Sequence, residues 1–480
     1  MNSNSSRLAP LPLNTSIFRE YDIRGIAARD LSAELAKRIG YAYAQMLGER
    51  SGKPLTSLTV SVGRDCRLTS DDYASALISA LSSCGLSVLD LGVCPTPLTY
   101  FSVFHKGLAG GIMVTGSHNP ADYNGFKISL GKSTLHGEDI QVIRRLIESC
   151  TRPPEQRGSV SRYEVIPDYL DHLVTNARSL RPLRVVLDAG NGTASTVAPL
   201  LFERLGAQVT PLYCELDGRF PNHHPDPTVP SNLRELVATV QKAGADFGVA
   251  FDGDSDRIGL VDETGRIIFG DELMVILSRA VLKDRPGSTI ISEVKSSHRL
   301  YADIERHGGK PLMWKTGHSL IKSKMKETGA LLAGEMSGHI FFADRYFGYD
   351  DAIYAALRVF EIASSHSGPV SSLLSGLAPS VSTPEIRVDC EEDKKFALVA
   401  AAKARLAPGR KLTDIDGVRI DFGDAWGLIR ASNTQPVLVL RFEAPNADRL
   451  DEVRKLFLKE LDHAAQDVGH PPIDLNQAHE

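Results

Sequence analysis

The order of apolar and polar stretches along the chain is the feature that most restricts its fold. Three times, an apolar strand runs into a polar loop, an amphipathic helix, a glycine and a second strand, and later into a further strand that ends in a polar or charged loop. The repeat interval of roughly 100 residues is too long for a solenoid and is typical of repeated α/β domains. Alternating strands and helices predict largely parallel sheets, with a ligand crevice at the carboxyl ends of the strands.

After a serine-rich stretch at 364–372 the pattern changes to short strands with two helices, which predicts an α+β domain. We therefore predict three similar α/β domains, with mixed or parallel sheets between helices, and a C-terminal α+β domain, all around one central cleft. The predicted domains are 1–163, 164–266, 267–378 and 379–480. The predicted strands of the repeats are 58–62, 86–91, 112–114, 184–187, 208–212, 247–251, 289–294, 311–314 and 331–333, with helices at 31–47, 70–83, 196–205 and 233–243. The C-terminal prediction has strands at 384–388, 419–422, 426–431 and 437–442 and helices at 395–406 and 448–462.

Charge and cysteine usage exclude several classes of function. The chain has 480 residues, which is too many for a single hydrophobic core and indicates several domains. Its net charge of -5 gives it no positive electrostatic field that would attract nucleic acid. The six cysteines form no C-x-x-C pair, which indicates reduced thiols and favours a cytoplasmic protein. No apolar run approaches the roughly 20 residues that span a bilayer. Residues 1–16 lack a signal-peptide core, and we expect them to form a loose tail.

The first loop of interest follows the predicted strand 112–114 and reads Thr-Gly-Ser-His-Asn-Pro from Thr115 to Pro120. Gly116 permits backbone conformations closed to other residues, and Asn119-Pro120 stops the strand, so the hydroxyl of Ser117 is lifted out of the strand end. The G-x-S-x-G pattern of a serine-hydrolase elbow is absent. The alternative is that Ser117 is an ordinary loop serine.

The second loop follows strand 247–251 and contains Asp252, Asp254 and Asp256. Because alternate residues of an extended segment point to one side, the three carboxylates can converge, and their repulsion then calls for a cation. Carboxylate oxygens favour magnesium. An EF-hand is excluded, because its glycine position holds Arg257 and both flanks read as strands. An acidic surface turn is the alternative.

Two further loops are rich in hydrogen-bonding groups. The segment from Gly334 to His339 places Glu335 and Ser337 between glycines, as a sugar-binding loop would, although a structural turn explains it equally well. The segment 430–436 combines a fixed cation with hydroxyl and amide side chains, which is the chemistry of a phosphate cradle or of a polar hairpin. Its candidate phosphate ligands are Arg430, Ser432, Asn433 and Thr434.

The four loops, in this order and wording, resemble the α-D-phosphohexomutase superfamily, and most closely its bacterial phosphomannomutase/phosphoglucomutase branch. The resemblance extends from Phe18 to about Leu461. It implies a phosphoserine loop at Ser117, a magnesium loop at 252–257, a sugar loop at 334–339 and a phosphate loop at 430–434. The four loops show no departure from the family pattern. Met336 favours the phosphomannomutase/phosphoglucomutase branch, because the related phosphoglucosamine mutases usually have glutamine in its place.

The resemblance also implies individual roles. Lys127 and His339 resemble the candidate general acid/base groups, and a base near pH 7 requires His339 or a Lys127 with a lowered pKa. The implied catalytic residues are Ser117, His118, Lys127, Arg24, Arg257 and His339. The implied substrate contacts are Tyr21, Lys295, His318, Glu335, Ser337, Arg430, Ser432, Asn433 and Thr434, and the implied metal ligands are Ser117, Asp252, Asp254 and Asp256.

The expected activity is reversible phosphoryl transfer between the 1- and 6-positions of mannose or glucose phosphates. The resemblance implies a phosphoserine enzyme that uses Mg²⁺ and a hexose 1,6-bisphosphate intermediate, with small-molecule hexose phosphates as partners. We expect a monomer or weak homo-oligomer that binds neither nucleic acid nor membrane. A phosphoglucosamine mutase, a non-catalytic sugar-phosphate-binding protein and a hydrolase of the same fold are the alternatives.

Overall fold

The computed structural model describes residues 6–178, 181–433 and 435–473. Within these residues, the first three main sheets share one topology. A central strand pairs in parallel with a strand on each side, and one of these neighbours pairs with an antiparallel return strand. The repeated α/β architecture predicted from the sequence is confirmed, and its sheets are mixed.

The first two domains have the following elements. The order of the first sheet is Ile23–Ile26, Tyr123–Leu130, Gly110–Val114, Thr59–Arg64, Ser87–Val93 and Val160–Arg162, with Ser133–Thr134 beside Tyr123–Leu130 and helices Ala33–Ser51, Ser70–Ser83, Thr96–Lys106 and Glu138–Glu148. Helix Val165–Asn176 leads into the second sheet. The order of that sheet is Gln208–Leu212, Arg184–Asp188, Phe247–Phe251, Ile258–Asp262 and Ile267–Ile268, with helices Ala198–Arg204 and Arg234–Ala243.

The third and fourth domains complete the chain. The order of the third sheet is Lys310–Trp314, Thr289–Glu293, Leu332–Gly334 and Ile340–Phe342, with helices Gly270–Asp284, His298–Arg306, His318–Thr328 and Ala352–Ser365. The fourth sheet is antiparallel, in the order Val381–Ser382, Val437–Ala444, Trp426–Ala431, Val418–Asp421 and Lys411–Thr413, with Ile386–Asp389 also on Val437–Ala444. Helices Lys395–Leu406 and Ala447–Asp467 cover it, which confirms the α+β prediction.

The equivalent loop of each repeat carries the candidate chemistry. In each of the first three sheets, this loop joins the outer parallel strand to the antiparallel return strand. These loops hold Ser117, the three aspartates and the segment 334–339, while the fourth candidate loop joins Trp426–Ala431 to Val437–Ala444. The shared topology therefore presents one loop from each domain at the corresponding edge of its sheet.

Two hydrophobic clusters explain how the domains are held. One continuous core includes Phe101 of the first domain, Phe247 of the second and Phe360 of the third, so these domains pack as one body. A separate core between the fourth sheet and its helices is centred on Phe442 and Phe457. None of the described helices combines the length and apolarity needed to cross a membrane. The domain boundaries at 163, 266 and 378 stay a prediction.

The amino-terminal segment differs from its prediction. Strand Ser6–Arg7 pairs with Thr151–Arg152, and the backbone N–H of Leu8 donates to the carbonyl of Cys150 over 2.7 Å. Leu11 and Leu13 pack against the core of the first domain. The loose tail predicted for residues 1–16 is therefore wrong from residue 6 onward, because three spaced leucines provide enough apolar surface to dock an extended chain.

Candidate active site

The four loops meet in one cavity of about 560 Å³. Charged and polar side chains from all four domains form its walls, so a small polar molecule inside it would contact every domain. The sequence-predicted residues that line it are Tyr21, Arg24, Ser117, His118, Lys127, Arg257, Lys295, His318, Glu335, Ser337, His339, Arg430 and Ser432. Thr434 lies outside the described residues, and Asn433 reaches the site through Tyr21.

Ser117 occupies a tight turn that points its hydroxyl toward the aspartate loop. Its φ angle of 51° is in the left-handed region, which costs free energy for a residue with a side chain. Asp65 holds the turn, because its carboxylate accepts hydrogen bonds from the Thr115 hydroxyl at 2.8 Å and the Gly116 N–H at 3.1 Å. Arg67 donates to the carbonyl of Ser117 over 2.7 Å. The loop conformation is therefore imposed by two buried charged residues from another strand end.

The hydroxyl of Ser117 donates to Oδ2 of Asp252 over 3.0 Å. Its oxygen also lies 3.2 Å from Nδ1 of His118. The two loops can approach this closely because Gly253 has no side chain: a Cβ there would lie 2.6 Å from the carbonyl oxygen of Ser117. Burial, together with the neighbouring cations Arg257 and Arg24, lowers the pKa of His118 well below its usual value. His118 is therefore neutral beside the serine.

The carboxylates of Asp252, Asp254 and Asp256 converge as predicted, with ligand atoms within 4.8 Å of one another. One oxygen each of Asp254 and Asp256 is buried and has no hydrogen-bond partner among the described residues. Burial and the two neighbouring carboxylates raise the pKa of Asp252 well above its usual value. Three converging carboxylates, two of them with an unpartnered oxygen, fit a hard divalent cation, so these residues can hold a metal ion.

Lys127 enters the same cluster from the strand that follows the serine loop. Its amino group donates to Oδ2 of Asp254 over 2.7 Å and also contacts Asp256. Burial alone would lower the pKa of Lys127, but Asp254 and Asp256 raise it well above its usual value. This arrangement does not fit the alternative in which a Lys127 with a lowered pKa is the base, because the amino group is in direct contact with two buried carboxylates.

His339 faces the cavity from the sugar loop and contacts Arg257. Nε of Arg257 donates to Nε2 of His339 over 3.0 Å. The ring of His318 stacks on His339 with their centroids 5.3 Å apart. In the same loop, the carboxylate of Glu335 accepts from the N–H of Gly317 at 2.7 Å, and burial raises the pKa of Glu335. The loop is thus fixed to both the second and the third domain.

The phosphate-loop residues form the far wall of the cavity with residues from other domains. Nε of Arg430 lies 3.1 Å from a carboxylate oxygen of Asp416, and Lys295 donates to Glu385 over 2.8 Å. The side-chain amide of Asn433 donates to the hydroxyl of Tyr21 over 3.0 Å. In turn, Tyr21 donates to the carbonyl of Thr316 over 2.9 Å. A single tyrosine thus links the first, third and fourth domains at this wall.

Several residues at the site were missed by the sequence reasoning. Asp65 and Arg67 shape the serine loop, and Asp350 contacts the imidazole of His339 at 3.1 Å. A signal existed for Asp65, which follows a buried strand at the end of a Gly-Arg-Asp segment as the other site residues do. The cavity is also lined by Arg19, Asp22, Asn119, Tyr123, Glu385, Arg387 and Asp389.

Comparisons with known proteins agree with this arrangement. Four family models, described as phosphoglucomutase/phosphomannomutase alpha/beta/alpha domains I, II and III and C-terminal domain, match residues 15–152, 167–265, 269–381 and 385–460. The chain is 48% identical to a phosphomannomutase/phosphoglucomutase of Pseudomonas aeruginosa, over 94% of this chain and 96% of that protein. It is 42% identical to a phosphoglucomutase of Neisseria gonorrhoeae, over 93% and 96%.

A solved structure extends the similarity to three dimensions. The crystal structure of a phosphoglucomutase/phosphomannomutase family protein from Burkholderia thailandensis matches with a TM-score of 0.89 and 40% identity, covering 95% of this chain and 99% of that one. The match includes all four domains and therefore the cleft between them. On these findings, the chain belongs to the phosphoglucomutase/phosphomannomutase family of enzymes.

Proposed function

We propose that the chain interconverts hexose 1-phosphates and hexose 6-phosphates, with mannose and glucose phosphates as substrates, by transferring a phosphoryl group to and from Ser117. The observation that carries the proposal is the hydrogen bond of 3.0 Å from the Ser117 hydroxyl to Asp252. The hydroxyl of a buried serine in a constrained turn thus lies beside a carboxylate cluster, and Ser117 and Arg430 line the same cavity, which supports a role as the nucleophile. The names of the relatives support this substrate class.

We propose Mg²⁺ as the metal ion, held by Asp252, Asp254 and Asp256 together with the phosphorylated or free Ser117. The fit rests on the two unpartnered carboxylate oxygens and on the preference of magnesium for oxygen ligands. When bound, the ion would neutralise charge on the phosphoryl group during transfer.

The proposed reaction begins with Ser117 phosphorylated. An oxygen of the free sugar hydroxyl forms a bond to phosphorus as the bond from phosphorus to Oγ of Ser117 breaks, and the hydroxyl proton passes to a base. The product is a hexose 1,6-bisphosphate. This intermediate reverses its orientation in the cleft and then returns its other phosphoryl group to Ser117. Arg24 and Arg257 line the cavity and would stabilise the transferring charge.

We assign the base to His339 in preference to Lys127. Lys127 is held in its charged form by Asp254 and Asp256, so it has no lone pair to accept a proton. His339 lines the cavity, and a neutral imidazole has a lone pair that can accept a proton. Lys127 would instead contribute a fixed positive charge next to the metal-binding carboxylates.

The other residues would bind the substrate. Arg430, Ser432, Asn433 and Thr434, with Tyr21 and Lys295, would grip the phosphate that is not transferred, whichever carbon carries it. Glu335, Ser337 and His318 would contact the sugar hydroxyls. We further propose a monomer or weak homo-oligomer in the cytoplasm, where the six free cysteines would remain reduced.

A phosphoglucosamine mutase is not favoured, since relatives similar over nearly the whole chain are named phosphomannomutase/phosphoglucomutase or phosphoglucomutase. The discriminating experiment supplies glucose 1-phosphate, mannose 1-phosphate or glucosamine 1-phosphate with Mg²⁺ and a trace of bisphosphate, and measures both 6-phosphate and inorganic phosphate. Rapid conversion of the first two without phosphate release is the expected result. Preferred use of glucosamine 1-phosphate, or steady release of phosphate, would contradict the proposal.

The nucleophile is tested separately. We expect Ser117→Ala to abolish turnover and to remove a phosphate-sized addition from the intact mass of the protein. Ser102→Ala is the matched control, because Ser102 is buried and hydrogen-bonds to Ser61 and Thr99 away from the cavity. It should retain near-native activity. Substantial turnover by Ser117→Ala would contradict the assignment of the nucleophile.

A further inference from the structure

The contacts of His339 determine where its proton lies. Nε of Arg257 approaches Nε2 of His339 to 3.0 Å, and a guanidinium group can only donate. Nε2 must therefore accept through its lone pair. A neutral imidazole has one N–H, so the proton of His339 is on Nδ1 in this arrangement.

Nδ1 of His339 faces two buried carboxylates. Oδ2 of Asp350 is 3.1 Å away, and Oδ1 of Asp256 is 3.6 Å away. Nδ1 of His339 and Oδ2 of Asp350 are both buried, and neither forms a hydrogen bond that meets the usual geometry among the described residues. Their separation of 3.1 Å is within hydrogen-bonding distance, so each is placed to satisfy the other.

Asp350 is the carboxylate committed to this contact. The other carboxylate, Asp256, contacts Lys127 through Oδ2 and belongs to the metal-binding cluster. His318 also approaches Oδ2 of Asp350, but at the longer distance of 3.6 Å. Among the groups near Nδ1, Asp350 is therefore the closest acceptor, and it is not one of the three aspartates proposed to hold Mg²⁺. Its carboxylate, Asp256 and His339 lie close enough together to form a second group of potential metal ligands.

Asp350 and His339 are both held in place by their surroundings. Oδ1 of Asp350 accepts from Nζ of Lys322 over 2.9 Å, and that amino group lies over the ring of Tyr100, 4.5 Å from its centroid. A backbone bridge joins Asp350 to Phe341, and another joins His339 to Arg257. The backbones of both residues are thus tied to neighbouring segments, and the Asp350 carboxylate is also held by Lys322.

From this geometry we infer that Asp350 is a positioning residue, which keeps the proton of His339 on Nδ1 and the Nε2 lone pair on the side of Arg257, where a substrate hydroxyl would replace Arg257 as the donor. Asp350 does not itself line the cavity. It acts through His339, in the way that a carboxylate orients the histidine of a hydrolytic triad. The inference rests on the proposed function, because it assigns a purpose to a histidine that we propose to be the base.

The first test reads the tautomer directly and needs no turnover. Protein labelled with ¹⁵N-histidine is examined by long-range ¹H–¹⁵N correlation spectroscopy, and the signal of His339 is identified by its loss in His339→Gln. We expect the wild type to show the Nδ1–H tautomer. A wild-type spectrum in which His339 carries its proton on Nε2 would overturn the inference, whether or not the protein is a mutase.

The second test removes the charge of Asp350 at constant size. An amide in Asp350→Asn can donate to Nδ1, so we expect a mixture of tautomers and a fall in kcat of about 10²-fold or more, with KM changed by less than about threefold. Asp344→Asn is the control: Asp344 is also buried, but it pairs with Arg358. It should leave kcat and the His339 signal unchanged.

The outcomes distinguish a failure of the Asp350–His339 contact from a failure of the proposed mutase function. If Asp350→Asn retains a kcat within about threefold of the wild type, or shows the unchanged Nδ1–H tautomer, Asp350 does not position the histidine. If Asp350→Asn fails to fold, Asp350→Ser, which also removes the carboxylate, is measured in the same two ways, and an unchanged tautomer and kcat would overturn the inference. If Ser117→Ala is active while His339 shows the Nδ1–H tautomer that Asp350→Asn disturbs, the proposed function fails and the contact inferred here stands.

Discussion

Nζ of Lys127 lies 2.7 Å from Oδ2 of Asp254, inside the group of three aspartates. The three like charges require a nearby cation, and in this arrangement a residue of the chain provides it. The same carboxylates also have the unsatisfied oxygens that fit a metal ion. Lys127 and the metal ion therefore offset the same repulsion, which leads to the first prediction.

Replacement of Lys127 by methionine should destabilise the metal-free protein. The change leaves buried carboxylates without a partner, which typically costs about 3–5 kcal/mol. Because a metal ion can offset the lost charge, Mg²⁺ should raise the unfolding temperature of Lys127→Met more than that of the wild type. Lys455→Met is the control, since Lys455 is exposed and pairs with Asp451 on a helix surface. Equal unfolding temperatures of Lys127→Met and wild type without metal would contradict the prediction.

Removal of metal should abolish activity. We expect a chelator to stop the interconversion of glucose 1-phosphate and added Mg²⁺ to restore it, with Asp254→Asn shifting the activation to a higher Mg²⁺ concentration. The control is Asp262→Asn, because the Asp262 carboxylate hydrogen-bonds to Thr264 and Arg266 within its own turn. Full activity in the presence of the chelator would show that the cluster has only a structural role.

Arg430 and Glu335 should affect the reaction differently. Loss of a charge-assisted contact to phosphate in Arg430→Ala should weaken substrate binding by about 1.5–3 kcal/mol, equally for glucose and mannose phosphates. Glu335→Ala should instead remove a contact to the sugar hydroxyls that orients the sugar for phosphoryl transfer, so we expect a lower kcat. Steady-state kinetics on both sugars measure this, with Arg449→Ala as the control, because Arg449 contacts only Asp424 and Glu452 among the charged groups described. An Arg430→Ala defect confined to one sugar would argue against a shared phosphate anchor.

Asp351 should give the protein a pH dependence in the acid range. Burial raises the pKa of Asp351 from 3.8 to about 6, although it accepts hydrogen bonds from Tyr169 and Tyr346. The folded protein then holds this proton more tightly than the unfolded chain, so the resulting stabilisation is complete below about pH 4 and is lost as the pH rises through about 6. In Asp351→Asn, the unfolding temperature should vary less between these pH values than in the wild type. Identical pH profiles for the two proteins would contradict the raised pKa.

Much of the site could be predicted because each functional loop is a continuous segment. Asp252, Asp254 and Asp256 lie within five residues, so a local segment contains the whole group. The extended conformation expected there is wrong: the segment is a turn, in which the N–H of Ser255 donates to the carbonyl of Asp252 over 3.0 Å and Ser255 has a φ angle of 65°. The strand-to-loop pattern also predicted where these loops lie in each repeat. The long helices Thr96–Lys106 and Ala352–Ser365 escaped the sequence reasoning, because the latter is buried on nearly all sides and so lacks a polar face to mark its period.

The sequence by itself determined the repeated α/β order, the four loops and the residue types they contain, since these follow from patterns within about ten residues. Only the tertiary structure decided which charges meet. Lys127 and Asp254 are 127 residues apart, and their contact raises the pKa of the lysine, whereas a lysine acting as the base would need a lowered pKa. Asp65 at the serine loop and Asp350 at His339 are likewise placed by strands of the sheets. The pKa of a buried group depends on its solvent exposure and its charged neighbours, and both exist only once distant segments have packed together.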